Sequence, residues 1–318
     1  MIKFENKLEL RYSFNDKSSY MDAMIKHRCE KEILSMIRVL ADMLDVKMTA
    51  HCEPFSQEGG YRVVWPIAGE SSRSISVVLN ILMQVLSRPT LSVGGQPIAD
   101  RTNADEENMQ KEILLLKRSL KLKDPGARIP HELIELLSSW PKFSKCKSNF
   151  YEALKGYPKV TKINVRELNA NNGSRSGSLE VKREQFDYFI LRSDDLPTIK
   201  DNKATIEIIS PVLKDSRYRW KGIYNKGGET IDFYMCDEEF KKQMFDEKIS
   251  FTSGMCIDCV LEIARKLSEL GETINVSYTV TTVIRTRFDK LEIVTPQGKR
   301  HLRKLEAEKK QLTLDLFG

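Results

Sequence analysis

The spacing of apolar residues changes along this chain from every third or fourth position to every second, and this change restricts the fold most. Ile33, Ile37, Leu40 and Leu44 recur at intervals of four, three and four, the stripe of one helical face. Met109, Ile113, Leu116 and Leu120 repeat the same pattern. Beyond residue 160 the pattern becomes alternation, and 160–168, 178–191, 204–210, 217–225, 229–235, 255–263 and 273–286 read as strands. A helical first half and a stranded second half predict an α+β protein. The expected organisation is an N-terminal α+β domain with a helical extension over 1–157. A mostly antiparallel β small barrel or sandwich follows over 158–298, then a tail over 299–318. Gly156 and Pro158 place the boundary in 156–159.

Inside the first domain, 8–14 alternates as a strand. Ser19 and Asp22 form a capping box ahead of the helix that carries Ile33. Segments 47–52 and 61–67 read as strands, with Pro66 marking the end of an edge strand. Further helices are expected over 75–86, 105–121, 130–139 and 149–155, with a basic, polar stretch at 142–148. A loop at 169–177 turns a hairpin, and 237–245 is a short helical insert in the second domain. The apolar faces of 75–86 and 109–120 are also candidates for homo-oligomer contacts, the second as two heptads of a coiled coil.

A length of 318 residues accommodates two domains, and 41% apolar residues supply a core for each. The net charge of +6, from 51 basic and 45 acidic residues, permits contact with nucleic acid without requiring it. Six cysteines lack framework spacing and no signal peptide opens the chain, so a cytoplasmic protein with mostly buried, reduced thiols is expected. The most hydrophobic stretch, 75–86, is interrupted by Asn80 and Gln84 and is shorter than the about 20 residues that span a bilayer. No membrane partner is expected.

Little in the chain spells out chemistry. Cys256 and Cys259 have the Cys-x-x-Cys spacing, but on a strand two such residues point to opposite faces. His27 with Cys29, and His51 with Cys52, diverge for the same kind of reason, so no metal site is expected. Gly59-Gly60 and Gly94-Gly95 lack the Lys-Ser/Thr of a phosphate loop, and no cofactor is expected. Glu180 and Lys182 follow a hairpin on one strand and resemble the Glu-x-Lys of restriction-type metal nucleases, where the carboxylate binds a divalent ion. That resemblance implies a partnering upstream acid, and Glu167 is the nearest. Segment 217–224 mixes cations with aromatics. As a strand it places Arg217, Arg219 and Lys221 on one face, a candidate nucleic-acid surface, and Tyr218, Trp220 and Tyr224 on the other.

The tail is the most specific signal. Gln311, Leu312, Leu314, Leu316 and Phe317 follow a charged run containing Lys299, Arg300, Arg303, Lys304, Lys309 and Lys310. These five residues resemble the peptide by which bacterial DNA polymerases, mismatch-repair and replication-control proteins bind the sliding clamp. The resemblance covers about seven residues and implies a partner, not a fold. In general style the chain also resembles bacterial proteins of mobile-element and defence loci. A terminal strand, with Leu312, Leu314 and Leu316 alternating against Thr313 and Asp315, is the competing expectation. The functional expectation is a non-catalytic protein of DNA metabolism or genome defence, tethered to the clamp by its tail. A self-assembling scaffold and a divalent-metal nuclease are the alternatives.

Overall fold

Strand β1 (Asn6–Phe14) organises the first unit, because its alternation gives the sheet one apolar and one polar face. In the computed structural model the strand order is β2-β3-β1-β4-β5, all antiparallel, with β2 (Met48–Ala50), β3 (Tyr61–Gly69), β4 (Val160–Asn169) and β5 (Leu179–Lys182). The structure describes all residues except 1–3, 17, 53–59, 91–102, 123–128, 176, 213–217, 226–227, 247–250, 253, 290 and 316–318, and only the helical backbone of 103–106 and 308–315. Register puts Leu8 opposite Trp65, Leu10 between Val63 and Val165, and Tyr12 opposite Ile163, and all of these are buried in one core.

Five helices fill that apolar face. Helix α1 (Ala23–Leu44) is capped by Asp22, whose carboxylate accepts from the backbone N–H groups of Met24 and Ile25 at 2.9 and 3.0 Å. It ends at Asp45, which takes the left-handed conformation (φ 56°). Its buried stripe is Ile33, Met36, Ile37, Leu40 and Leu44. Helix α2 (Ser72–Ser87) buries Ile75, Val78, Leu79, Ile81, Leu82, Val85 and Leu86. Helix α3 (Asn103–Lys121) buries Met109 and Leu116 and packs Ile113 and Leu120 against the same core. Helices α4 (His131–Ser138) and α5 (Pro141–Lys155) complete the layer. The two apolar faces singled out for self-association are therefore occupied inside their own unit.

The second unit is a five-strand mixed barrel. Strands β6 (Asp195–Ser210), β7 (Trp220–Tyr224), β8 (Thr230–Met235), β9 (Cys256–Leu267) and β10 (Thr273–Phe288) run in the order β10-β8-β7-β6-β9, and a β9–β10 pairing closes the ring. β8 and β10 are parallel; β6, β7 and β8 pair antiparallel in turn. Closure removes the unpaired edges of these strands. The interior holds Ala204, Ile206, Trp220, Phe233, Ile257, Cys259, Leu261 and Val280, with Phe240 from helix α6 (Glu238–Phe245). A β-carbon on Gly222 would meet the Ile206 side chain at 2.5 Å, so β7 approaches β6 only because that residue is glycine. Strand β11 (Leu291–Val294) extends β10, and helix α7 (Pro296–Asp315) follows.

The protein is α+β, as expected, but several details differ. The units divide at Asp195–Leu196 rather than within 156–159, and Leu267–Thr273 groups with the first. The physical reason is β4, which pairs along the whole of β1 and so belongs to the first sheet. Segment 178–191 is a short strand followed by a 3-10 helix, Arg183–Phe189. The basic stretch at 142–148 is part of α5, which starts at Pro141 rather than at 149, and Asp22 rather than Ser19 caps α1. β3, with Pro66, lies between β2 and β1, where β2 is too short to flank its full length.

Candidate docking helix and basic surfaces

Helix α7 is held to the barrel by its first turn. Pro296 occupies its first position, where a missing N–H costs nothing. Thr295 caps it, accepting from the Gly298 N–H at 2.9 Å and donating its hydroxyl to the Val283 carbonyl at 2.5 Å. Gln297 is buried and donates to Asp237 Oδ2 at 3.2 Å. The same Asp237 oxygen accepts from the Val283 N–H at 2.6 Å, while its Oδ1 caps α6 through the Phe240 N–H at 2.9 Å. Asp237 thus ties α6, α7 and β10 together from one buried carboxylate. Arg300 pairs with Glu239 one turn further on. A β-carbon on Gly298 would lie 2.0 Å from the Ile284 carbonyl oxygen. Gly298→Ala is therefore expected to push α7 off β10 and to lower barrel stability by about 1–3 kcal/mol, an overpacking cost. Urea denaturation checks this, and an unchanged midpoint would sink it.

Past that turn the helix is open. Lys299, Arg300, Arg303, Lys304, Glu306 and Ala307 are exposed, and Leu302 and Leu305 half-buried. The helix continues to Asp315 and so includes Gln311, Leu312 and Leu314, while Leu316 and Phe317 lie outside the described residues. This overturns a terminal strand over 311–315: positions 312 and 314 follow a helical repeat, which puts them on opposite sides of the axis. A charged run with Leu302 and Leu305 three apart carried that helical signal.

The candidate nucleic-acid strand is only partly as read. Lys221 is exposed and Trp220 buried against Phe233, Phe240 and Phe251, as alternation requires. Arg219 is exposed, its guanidinium 5.0 Å from the Tyr234 ring centre. Lys221 sits directly across from Asp232, which offsets its charge. Arg217 lies outside the described residues, and Tyr218 is exposed rather than in the aromatic core because β7 begins only at Trp220.

Glu180 and Lys182 share the polar face of the first sheet. Glu180 accepts from Lys162 at 2.9 Å, and that bond, with the nearby charge of Lys182, holds its carboxyl below the usual range. Glu167 is on the other face, buried with Asn6 at 2.6 Å and with Ser76. The two acids that a metal nuclease would bring together are separated by the sheet. Cys256 is half-exposed and Cys259 wholly buried, its thiol pushed up by burial, so the pair does not converge. His27 is exposed and Cys29 buried on α1; His51 packs on Phe4 at 5.1 Å. Only Cys29, Cys146 and Cys259 of the six thiols are buried. Among the described residues no helix is long and apolar enough to cross a membrane.

Two sites escaped the sequence reading. Glu9, 1% exposed, lies between Arg62 and Arg166 and pairs with both. Lys147, fully buried on α5, donates to the carbonyls of Arg88 and Ser138, each at 3.0 Å. Burial, and then the charge of Arg88, push it down to about 7. Comparison of the chain with family models, curated proteins and solved structures finds no match.

Proposed function

We propose that this is a non-catalytic protein of DNA metabolism or genome defence, working in the cytoplasm and tethered to a sliding clamp by residues 311–317. The observation that carries the reading is the anchorage of α7. Its first turn is fixed by Asp237, Gln297 and Thr295, and after it the charged side chains of Arg303, Lys304 and Glu306 are exposed. The helix is thus a fixed base from which a short peptide can reach a partner. The final turn of a helix leaves four carbonyls without helical partners and frays at little cost. A clamp groove that accepts Leu and Phe anchors and reads the Gln311 amide fits this segment. The separation of Glu180 from Glu167 and the occupied faces of α2 and α3 leave the nuclease and scaffold readings without comparable support.

The test is binding of the purified chain to a purified bacterial clamp. Phe317→Ala is expected to weaken binding roughly thirtyfold, corresponding to about 2 kcal/mol for a truncated aromatic anchor, without shifting the melting temperature. A chain ending at Lys310 is expected to lose binding. Equal binding by the full chain and both variants would remove the proposal.

A further inference from the structure

The first sheet turns its apolar face to the helices and a basic face the other way. Register places Lys7 and Arg11 of β1, Arg62 of β3, Lys162 and Arg166 of β4, and Lys182 of β5 on that second face. Two carboxylates share it. Glu9 is buried between Arg62 and Arg166, and Glu180 bonds to Lys162. Among the described residues, six cations thus face two acids, an excess of four. The placement is also unfavourable in the sheet itself. Arg11 lies directly across from Arg62, and Lys162 directly across from Lys182. Like charges at such positions repel and destabilise a sheet. Glu9 pairs with Arg62 and Glu180 with Lys162, so one cation of each pair is already offset, and it is the net positive charge of the face that a bound polyanion would neutralise.

The half of the face nearest β5 is accessible. Arg11 and Lys182 are exposed, and the side chains of Lys162 and Arg166 retain 43% and 36% of their exposure. A groove of about 780 Å3 is lined by Lys155, Thr161, Lys162, Glu180, Lys182, Glu184 and Asp187, and there Lys155 pairs with Asp187. Arg183, also in its wall, is committed to structure: it donates to the carbonyls of Leu154, Lys155, Tyr157 and Val160 at the end of α5. None of the described residues that register puts on this face of β1, β4 and β5 is aromatic. Nothing there stacks on a base, so contact would run through phosphates and be indifferent to sequence. The barrel strand compares poorly, because Lys221 there faces Asp232.

We infer that the basic face of the first sheet, centred on the cross-strand pair Lys162–Lys182, binds the phosphate backbone of a nucleic acid. This is independent of the clamp reading: a chain ending at Lys310 keeps the face and should bind nucleic acid as the full chain does.

The test is fluorescence anisotropy with a labelled mixed-sequence oligonucleotide, titrated with salt. Lys162→Gln with Lys182→Gln is expected to weaken binding at least tenfold and to reduce the salt slope by about two, one for each lost phosphate contact. The variant loses the Lys162–Lys182 repulsion and the Lys162–Glu180 pair together, two small effects of opposite sign, so the melting temperature should hold. Glu180→Gln should tighten binding by releasing Lys162, whereas a nuclease carboxylate or a purely structural one would give no gain. Arg219→Gln with Lys221→Gln should leave affinity within twofold. Wild-type affinity and slope in the Lys162/Lys182 variant would overturn the inference. So would loss in the barrel variant alone, or a site that binds a labelled nucleoside triphosphate but no oligonucleotide.

Discussion

Glu9→Ala is expected to destabilise the first unit by about 3–5 kcal/mol, the usual result of removing one partner from a buried ionic cluster. Glu9 is 1% exposed, and its two oxygens face Arg62 and Arg166 on the neighbouring strands. Without it, two guanidinium groups on the strands that flank β1 lose a shared anion, and Arg62, with a side chain 10% exposed, has little access to water. The cost is mostly the stranded positive charge, not the lost attraction. Glu9→Gln should fall between the variant and the native protein, since it keeps an acceptor and loses the charge. Equilibrium urea unfolding followed by circular dichroism measures both. A loss below about 1 kcal/mol for Glu9→Ala would place the cluster among ordinary surface pairs.

Stability should also rise between pH 7 and 9, by about 2–3 kcal/mol at about 1.4 kcal/mol per pH unit. The source is Lys147, whose amine is held at about 7 in the folded protein against an ordinary value of 10.5. Between those values the unfolded chain binds the proton and the folded chain does not, so raising the pH favours folding. Below 7 both states are charged and the dependence stops. Above 9 the buried thiols of Cys29 and Cys146, each pushed up to about 12, act in the opposite sense, because only the unfolded chain ionises there. Lys147→Met should flatten the rise while leaving the decline above 9. A native profile that is level from 7 to 9, or a variant that keeps the slope, would show that another group is responsible. The groups around Lys147 are few. The Arg88 guanidinium pairs with Glu135 at 3.2 Å and contacts His131 at 2.5 Å, and α5 itself presents no carboxylate to the amine.

Repeats of three and four, and alternation, were enough to read most elements, because burial on one face is local information. Ile33 to Leu44 and Leu8 to Tyr12 face their cores as spacing required. The boundary was not legible, since nothing local in Val160 to Asn169 says that its partner is β1. Lys147 was read as part of a basic, polar stretch because a buried amine needs carbonyls from Arg88, just past α2, and from Ser138 of α4, and spacing does not reveal that Arg88 comes near it. Alternation with Leu8 and Leu10 puts Glu9 on the face away from the helices, but its burial there comes from the two arginines of the neighbouring strands, which spacing does not reveal. Of the tail, the residue types were readable and the helical state of 311–315 was not, because both strand and helix tolerate that composition.

The order of strands in the first sheet has a consequence for the ribosome. Glu9 and Arg166, which meet across β1 and β4, are 157 residues apart. At a translation rate of about 5–20 residues per second, β1 waits roughly 8–30 s after its emergence for the strand that covers its second side. Throughout that wait the nascent chain can pair β1 with β3 only, leaving an open hydrogen-bonding edge beside Leu8, Leu10 and Tyr12. Synthesis, rather than the finished molecule, is then the stage at which this protein is most prone to aggregate and most dependent on chaperones.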